Sequence, residues 1–229
     1  MSDFKRKIDV LDHGFVRGID FMGQDLSVVR NARVSHDAEW RTGEDAGKDE
    51  KLIGYLYHNK HNTPFESVVF TFEVKAPIFV FRQWHRHRTW SYNEVSARYT
   101  QLPEEYYVPT AENIGVQSAT NHQARDLVSA GRDQQDDVDL MRRSHQSAFV
   151  NYKALLEAGV PRELARTVLP VATYSRMFAT VNMHNLFKFL DERLSEHAQY
   201  EIRVYAQAML ELITPIVPVA VAAWETGHE

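Results

Sequence analysis

The stretch SVVFTFEVKAPIFVFRQWHRHR, residues 67–88, changes character twice. In its first half Val68, Phe70, Phe72 and Val74 fall on one face, and Val69, Thr71, Glu73 and Lys75 on the other. A period of two marks a half-buried strand, and Pro77 ends it. The apolar run IFVF follows without alternation and turns sharply polar at Arg82. An apolar segment of this kind anchors in the core whatever comes next. What comes next, RQWHRHRTWSYNEVSARY (82–99), holds four arginines, two histidines, two tryptophans and two tyrosines in eighteen residues.

Working outward, KIDVLDHGFVRGIDFMG (7–23) reads as two short strands joined by a turn at His13-Gly14. Asp25 is placed to N-cap a helix through LSVVRNARV. HDAEWRTGEDAGKDE (36–50) is polar and reads as a surface loop; KLIGYLYHNKH (51–61) is helical and ends before Thr63-Pro64. Glu112 to Asp137 is the best candidate for a mobile loop. Val138, Met141, Phe149, Tyr152 and Leu155/Leu156 recur at helical spacing, with Gly159 as a stop and Pro161 opening the next helix, PRELARTVL. From His184 to about Leu212, Leu186, Leu190, Leu194, His197, Val204 and Ala208 trace one face of a long helix, which makes His197 a core histidine. The expectation is one α+β domain over residues 1–229 with a large helical share.

Composition narrows the chemistry. Hydrophobic residues are 44% of 229, enough for a substantial core. The net charge of -5 argues against a nucleic-acid binder relying on a basic surface, but a local basic pocket for a small anion suits it. With no cysteine there is no disulfide, Cys-type metal site or cysteine nucleophile. No run approaches eighteen apolar residues, so the expectation is a soluble, cytoplasmic protein with no membrane partner. His58, His61, His85 and His87 are the candidate metal ligands, but HExxH is missing and no common zinc spacing occurs, so no metal is expected. Neither GxGxxG nor GxxxxGK[ST] is present, nor does GxSxG surround Ser96. Arginine forks suit phosphates and the polarised oxygens of a planar ring, and Trp84, Trp90 and Tyr92 offer stacking surfaces. For Arg166 and Arg193, spacing alone does not separate a surface role from a donor in a shared pocket.

These residues resemble the flavin-dependent thymidylate synthases, whose signature is RHR, seven residues, then Ser. Here it reads Arg86-His87-Arg88, TWSYNEV, Ser96. HNTPFE (61–66), SYNEVSARY (91–99), GVPRELARTVLP (159–170) and FLDERLSEHAQYEIR (189–203) extend the likeness from about Ile8 to Ala208. The resemblance implies an antiparallel sheet packed on a helical part, and a homotetramer with sites at subunit interfaces. It implies reductive methylation of dUMP to dTMP, with 5,10-methylenetetrahydrofolate giving the carbon and NADPH the reductant through FAD. It implies dUMP contacts at Gln83, Trp84, His85, Arg86, Glu94, Val95, Ser96, Ala97, Arg98, Arg166 and Arg193. Arg193 matches the arginine that holds the uracil ionised at N3, and Ser96 a serine once proposed as nucleophile. FAD contacts are implied at His61, Thr63, Arg86, His87, Arg88, Glu94, Asn182, Met183, His184 and Lys188. Some relatives carry Asn-Ala-Arg where this chain has Asn182-Met183-His184, and Asn or His at Lys188. The competing readings are a non-catalytic nucleotide- or RNA-binding protein that uses the Arg/His/aromatic cluster and a His/Glu metal hydrolase.

Overall fold

The computed structural model describes residues 3–127, 131 and 133–227. β1 (Lys7–Val10) and β2 (Gly14–Met22) form the expected hairpin. α1 (Asp25–Arg33) and α2 (Ala46–His58) follow. β3 (Val69–Pro77) runs straight into α3 (Ile78–Trp84), and β4 (Ser91–Glu94) follows. β5 (Val116–Gln117) and β6 (Arg125–Asp126) make a small hairpin of their own. α4 (Gln135–Glu157), α5 (Arg162–Ala165), β7 (Tyr174–Asn182), α6 (Met183–Arg193), α7 (Tyr200–Ile213) and α8 (Pro218–Thr226) complete the described chain.

The main sheet has the order β1-β2-β3-β7-β4, and every neighbouring pair is antiparallel. The alternation in β3 does what its period requires. Phe70, Phe72 and Val74 are fully buried and face the helices, with Met177, Ala179 and Val181 of β7 beside them. The opposite face carries Thr71, whose hydroxyl bonds that of Thr180, and half-exposed Phe178. One covered face and one open face are typical of an antiparallel sheet. Glu73 also lies on the second face, yet it is buried because Arg17 and Arg176 close over its carboxylate. Gly14 is required by a close approach: a Cβ there would sit 2.0 Å from the Tyr205 hydroxyl, which donates to the carbonyl of Lys75.

The structure corrects several expectations. Asp25 does not cap its own helix. Its two carboxylate oxygens accept the Val219 and Ala220 N–H groups, both at 3.0 Å, and so cap α8. Part of the supposed surface loop at 36–50 is ordered helix: Asp45 caps α2, and Asp49 is buried beside Arg33. The Glu112–Asp137 segment contains the β5–β6 hairpin and the first turn of α4, and Arg125 reaches the buried Glu201; residues 128–130 and 132 lie outside the described residues. Pro161 precedes α5 as its cap, and the helix gives way to a 3-10 turn at Arg166–Val168. The long helix expected from His184 is two helices. At the break the Ser195 hydroxyl accepts the His197 N–H, a local bond that competes with helix. His197 is therefore exposed at the turn and not in the core.

Candidate active site

The arginine-rich stretch is held from both ends. Pro77 has φ -60 and fixes the entry to α3, whose Val80, Phe81 and Trp84 are buried. Trp84 stacks on Phe189 of α6 at 4.9 Å between centroids. Beyond α3 the chain turns, with the His87 N–H donating to the Trp84 carbonyl at 2.9 Å. Tyr92 of β4 pins this turn: its hydroxyl lies 2.9 Å from the His87 carbonyl and 3.1 Å from that of Trp84. Burial pushes the Tyr92 phenol upward, so it stays a donor at working pH. β4 then pairs with β7, and Val95 N–H donates to the Arg176 carbonyl.

The turn and the end of β4 wall a cleft of about 540 Å³. His85, Glu94, Val95, Ser96, Ala97 and Arg166 line it, six of the expected nucleotide contacts. Arg82, counted in the arginine cluster but not among the named contacts, and Ser175, which the sequence did not single out, also line it. Arg82 was findable, since it lies three residues before His85 on one helical face. Ser96 Oγ accepts the Arg98 N–H at 3.3 Å and has no histidine or carboxylate partner among the described residues. It is arranged as a hydrogen-bonding hydroxyl. Arg98 pairs with Glu163 at 3.4 Å, and Arg166 Nε donates to the Glu163 carbonyl at 3.4 Å, so one acidic residue steadies both.

Gln83, Trp84, Arg86, Arg98 and Arg193 do not line that cleft. Trp84 is fully buried and offers a ligand no side-chain surface. Arg193, at the end of α6, donates from Nε to His87 Nε2 at 3.0 Å. A guanidinium only donates, so His87 Nε2 must accept and the ring is neutral with its proton on Nδ1. Burial, then the Arg193 charge, holds the His87 pKa below its ordinary value, while Glu192 at 3.7 Å pulls the other way.

The expected flavin contacts fall into two patches. At the start of α6, Asn182 accepts the Asn185 N–H and caps the helix; His184 and Lys188 share a hollow of about 310 Å³ with Tyr57 and Asn62. Burial first, then Lys188, lowers the His184 pKa. His61 is exposed, edge-on to Tyr55 at 5.7 Å, and Thr63 opens a short 3-10 turn that packs on α6. Met183 is fully buried, with its N–H on the Val68 carbonyl and its own carbonyl in the first turn of α6, so it offers a ligand neither its side chain nor its N–H. Arg86, His87 and Arg88 sit near the other end of α6, a helix whose length is roughly 15 Å. Glu94 lies in the cleft instead. Arg82, Arg86 and Arg88 have no side-chain hydrogen bond or ion pair among the described residues. Three cations left unpaired within seven residues form a donor set suited to phosphate-bearing ligands. Among the described residues no group of three or more His, Asp or Glu is placed to hold a metal ion, and no helix is long and apolar enough to cross a membrane.

A fold in which an antiparallel sheet presents this arginine-rich turn defines a known class. The family model described as thymidylate synthase complementing protein matches residues 19–219. The chain belongs to the flavin-dependent thymidylate synthase family. It is 44% identical to the flavin-dependent thymidylate synthase of Treponema denticola over 98% of this chain and 83% of that one. To that of Thermus thermophilus it is 47% identical, over 95% and 78%. Among solved structures, the UMP/dUMP methylase PolB from Streptomyces cacaoi bound with 5-Br dUMP superposes with a TM-score of 0.87 at 37% identity. That match covers 96% of this chain and 97% of the other.

Proposed function

We propose that residues 1–229 form one thymidylate synthase domain that converts dUMP to dTMP, with FAD as cofactor and 5,10-methylenetetrahydrofolate and NADPH as co-substrates. The reading rests on one observation above the others: a 540 Å³ cleft lined by Glu94, Val95, Ser96, Ala97 and Arg166, beside three unpaired arginines. Methylation at C5 of uracil needs electron density at C5. With no cysteine to add at C6, the chain supplies that density electrostatically. Arg193 stabilises the N3 anion of the ring, a charge that a preorganised guanidinium matches without reorganising. The neutral His87 accepts from Arg193 Nε, Glu192 lies 3.5 Å from Nη2, and Nη1 is left for the ring. Arg166 and Arg98 hold the phosphate end, and Ser96 contributes a hydroxyl. Gln83, His85 and Arg86 complete the nucleotide contacts.

The residues fit a flavin. Arg86 and Arg88 answer its diphosphate, while Asn182, His184 and Lys188, with His61 and Thr63, form a second patch. FAD, when bound, supplies the reducing equivalents that complete the methyl group. His61 offers a flat surface beside it for the folate. Both ligand sets are divided within one chain, as expected where neighbouring copies of a cytoplasmic homotetramer build each site together. A monomeric mass by sedimentation would remove that part of the reading.

The test is reconstitution with FAD, desalting, and an assay with dUMP, methylenetetrahydrofolate and NADPH. Retained flavin absorbance near one per subunit with dTMP formation is the expected result. A colourless protein that still binds dUMP points to failed flavin contacts at His184 and Lys188; no dUMP binding sinks the proposal.

A further inference from the structure

We infer that Gln199 and the buried Glu201 are positioning residues that fix which way round the Gln83 amide faces the nucleotide, an inference that rests on the dUMP reading above. Glu201 is 1% exposed. Its Oε1 accepts from the Tyr107 hydroxyl at 3.0 Å and from Arg125 Nη2 at 2.9 Å. Its Oε2 accepts from Gln199 Nε2 at 2.8 Å. Gln199 Oε1 in turn accepts from Gln83 Nε2.

The order of these bonds is dictated by chemistry. A carboxylate facing a guanidinium is acceptor-only, so Gln199 must turn its NH2 toward Glu201. That leaves the Gln199 carbonyl facing Gln83, and Gln83 must answer with its own NH2. The Gln83 carbonyl oxygen is then turned away, with no partner among the described residues. It is an acceptor left for a hydroxyl or N–H of the nucleotide, on a side chain that lies outside the 540 Å³ cleft of its own chain. An amide left to itself can present either end, and the wrong end sets donor against donor. The chain of bonds removes that choice. It also gives the Glu112–Asp137 segment a role, because Arg125 of β6 neutralises the charge at the root of the chain.

The experiment uses FAD-loaded protein and dUMP titration by calorimetry. Gln199→Leu cuts the chain while leaving Glu201 its Tyr107 and Arg125 bonds. We expect about tenfold weaker dUMP binding, the scale of one hydrogen bond to a charged or oriented partner. In a Gln83→Ala background the same substitution is expected to cost nothing further. Glu201→Gln keeps the volume but can place an NH2 against Gln199, which reverses every amide down to Gln83; it weakens dUMP. Adding Gln199→Glu restores an acceptor facing both neighbours and recovers binding. A merely structural loss would not be recovered by a second substitution. Additive losses in the Gln83/Gln199 cycle, or no recovery in the double variant, overturn the inference. Failure of the unaltered protein to bind dUMP overturns the functional reading instead.

Discussion

Two groups of arginines in this protein look alike in sequence but are used differently. Arg33 lies 2.5 Å from buried Asp49, angled as an ion pair rather than a hydrogen bond; Arg17 and Arg176 close over Glu73; Arg125 serves Glu201. Each answers a carboxylate that burial would otherwise leave uncompensated. Arg82, Arg86 and Arg88 answer nothing within the described chain. The first kind is consumed by folding, the second left over for a ligand. Substitution should therefore split the two groups by readout: stability for one, binding or turnover for the other.

Arg193 should show the largest effect. Arg193→Ala is expected to lower kcat/KM by about 100-fold or more, the usual scale for one preorganised charge-stabilising donor. Retained dTMP formation would end its assignment. Next, Arg33→Ala leaves the Asp49 carboxylate without a counter-charge, with only the Gly43 N–H on Oδ2, in a site where its side chain is 4% exposed. Removing one partner of a buried pair costs about 3 kcal/mol. Calorimetric melting should record a fall of several degrees, about 2–4 °C per kcal/mol for a chain of this size, with dUMP affinity unchanged in the folded protein. Arg88→Ala reverses the pattern: melting of the flavin-free protein is unmoved, while FAD binding weakens about tenfold, measured by fluorescence. Equal destabilisation by the two substitutions would erase the distinction between the two kinds.

The smallest effect concerns pH. Folding holds the His87 pKa below its ordinary 6.5, as it does those of His145 and His184. The unfolded chain therefore takes up protons first as pH falls. The stability these neutral rings contribute is complete above about pH 6.5 and is lost as pH drops through the folded values. Melting temperature should decline as pH falls below about 6.5, and His87→Gln should flatten part of that slope. A slope indifferent to His87 would mean that Arg193 is not held by a neutral ring.

Much of the fold was legible because its periods are local. β3 shows its faces in alternation, the β1–β2 hairpin in its turn, and α4 in its apolar spacing up to Gly159, which takes φ +83. What escaped was non-local. Nothing around Asp25 says that its carboxylate belongs to α8, and nothing around Arg125 says that it belongs to Glu201. The break between α6 and α7 was masked because the apolar spacing of the two helices continues in phase across Ser195. The candidate site was readable as a cluster of residue types, and the resemblance assigned their roles. Which of them share a cleft required the sheet, since β7 brings Ser175 and the Arg166 turn up to β4.

The bond from Asp25 to the start of α8 spans 194 positions, and it sets an order of assembly. As the chain leaves the ribosome, β1, β2 and β3 can pair at once, but β3 waits for its second neighbour until Asn182 has been made. α1 waits longer still, until residue 220 supplies the N–H groups its first carboxylate accepts. Closure of so long a loop comes late, because its entropy must be met before its contacts form. α1 and the unpaired edge of β3 thus stay open to chaperones, and to misassembly, after the first hairpin has formed.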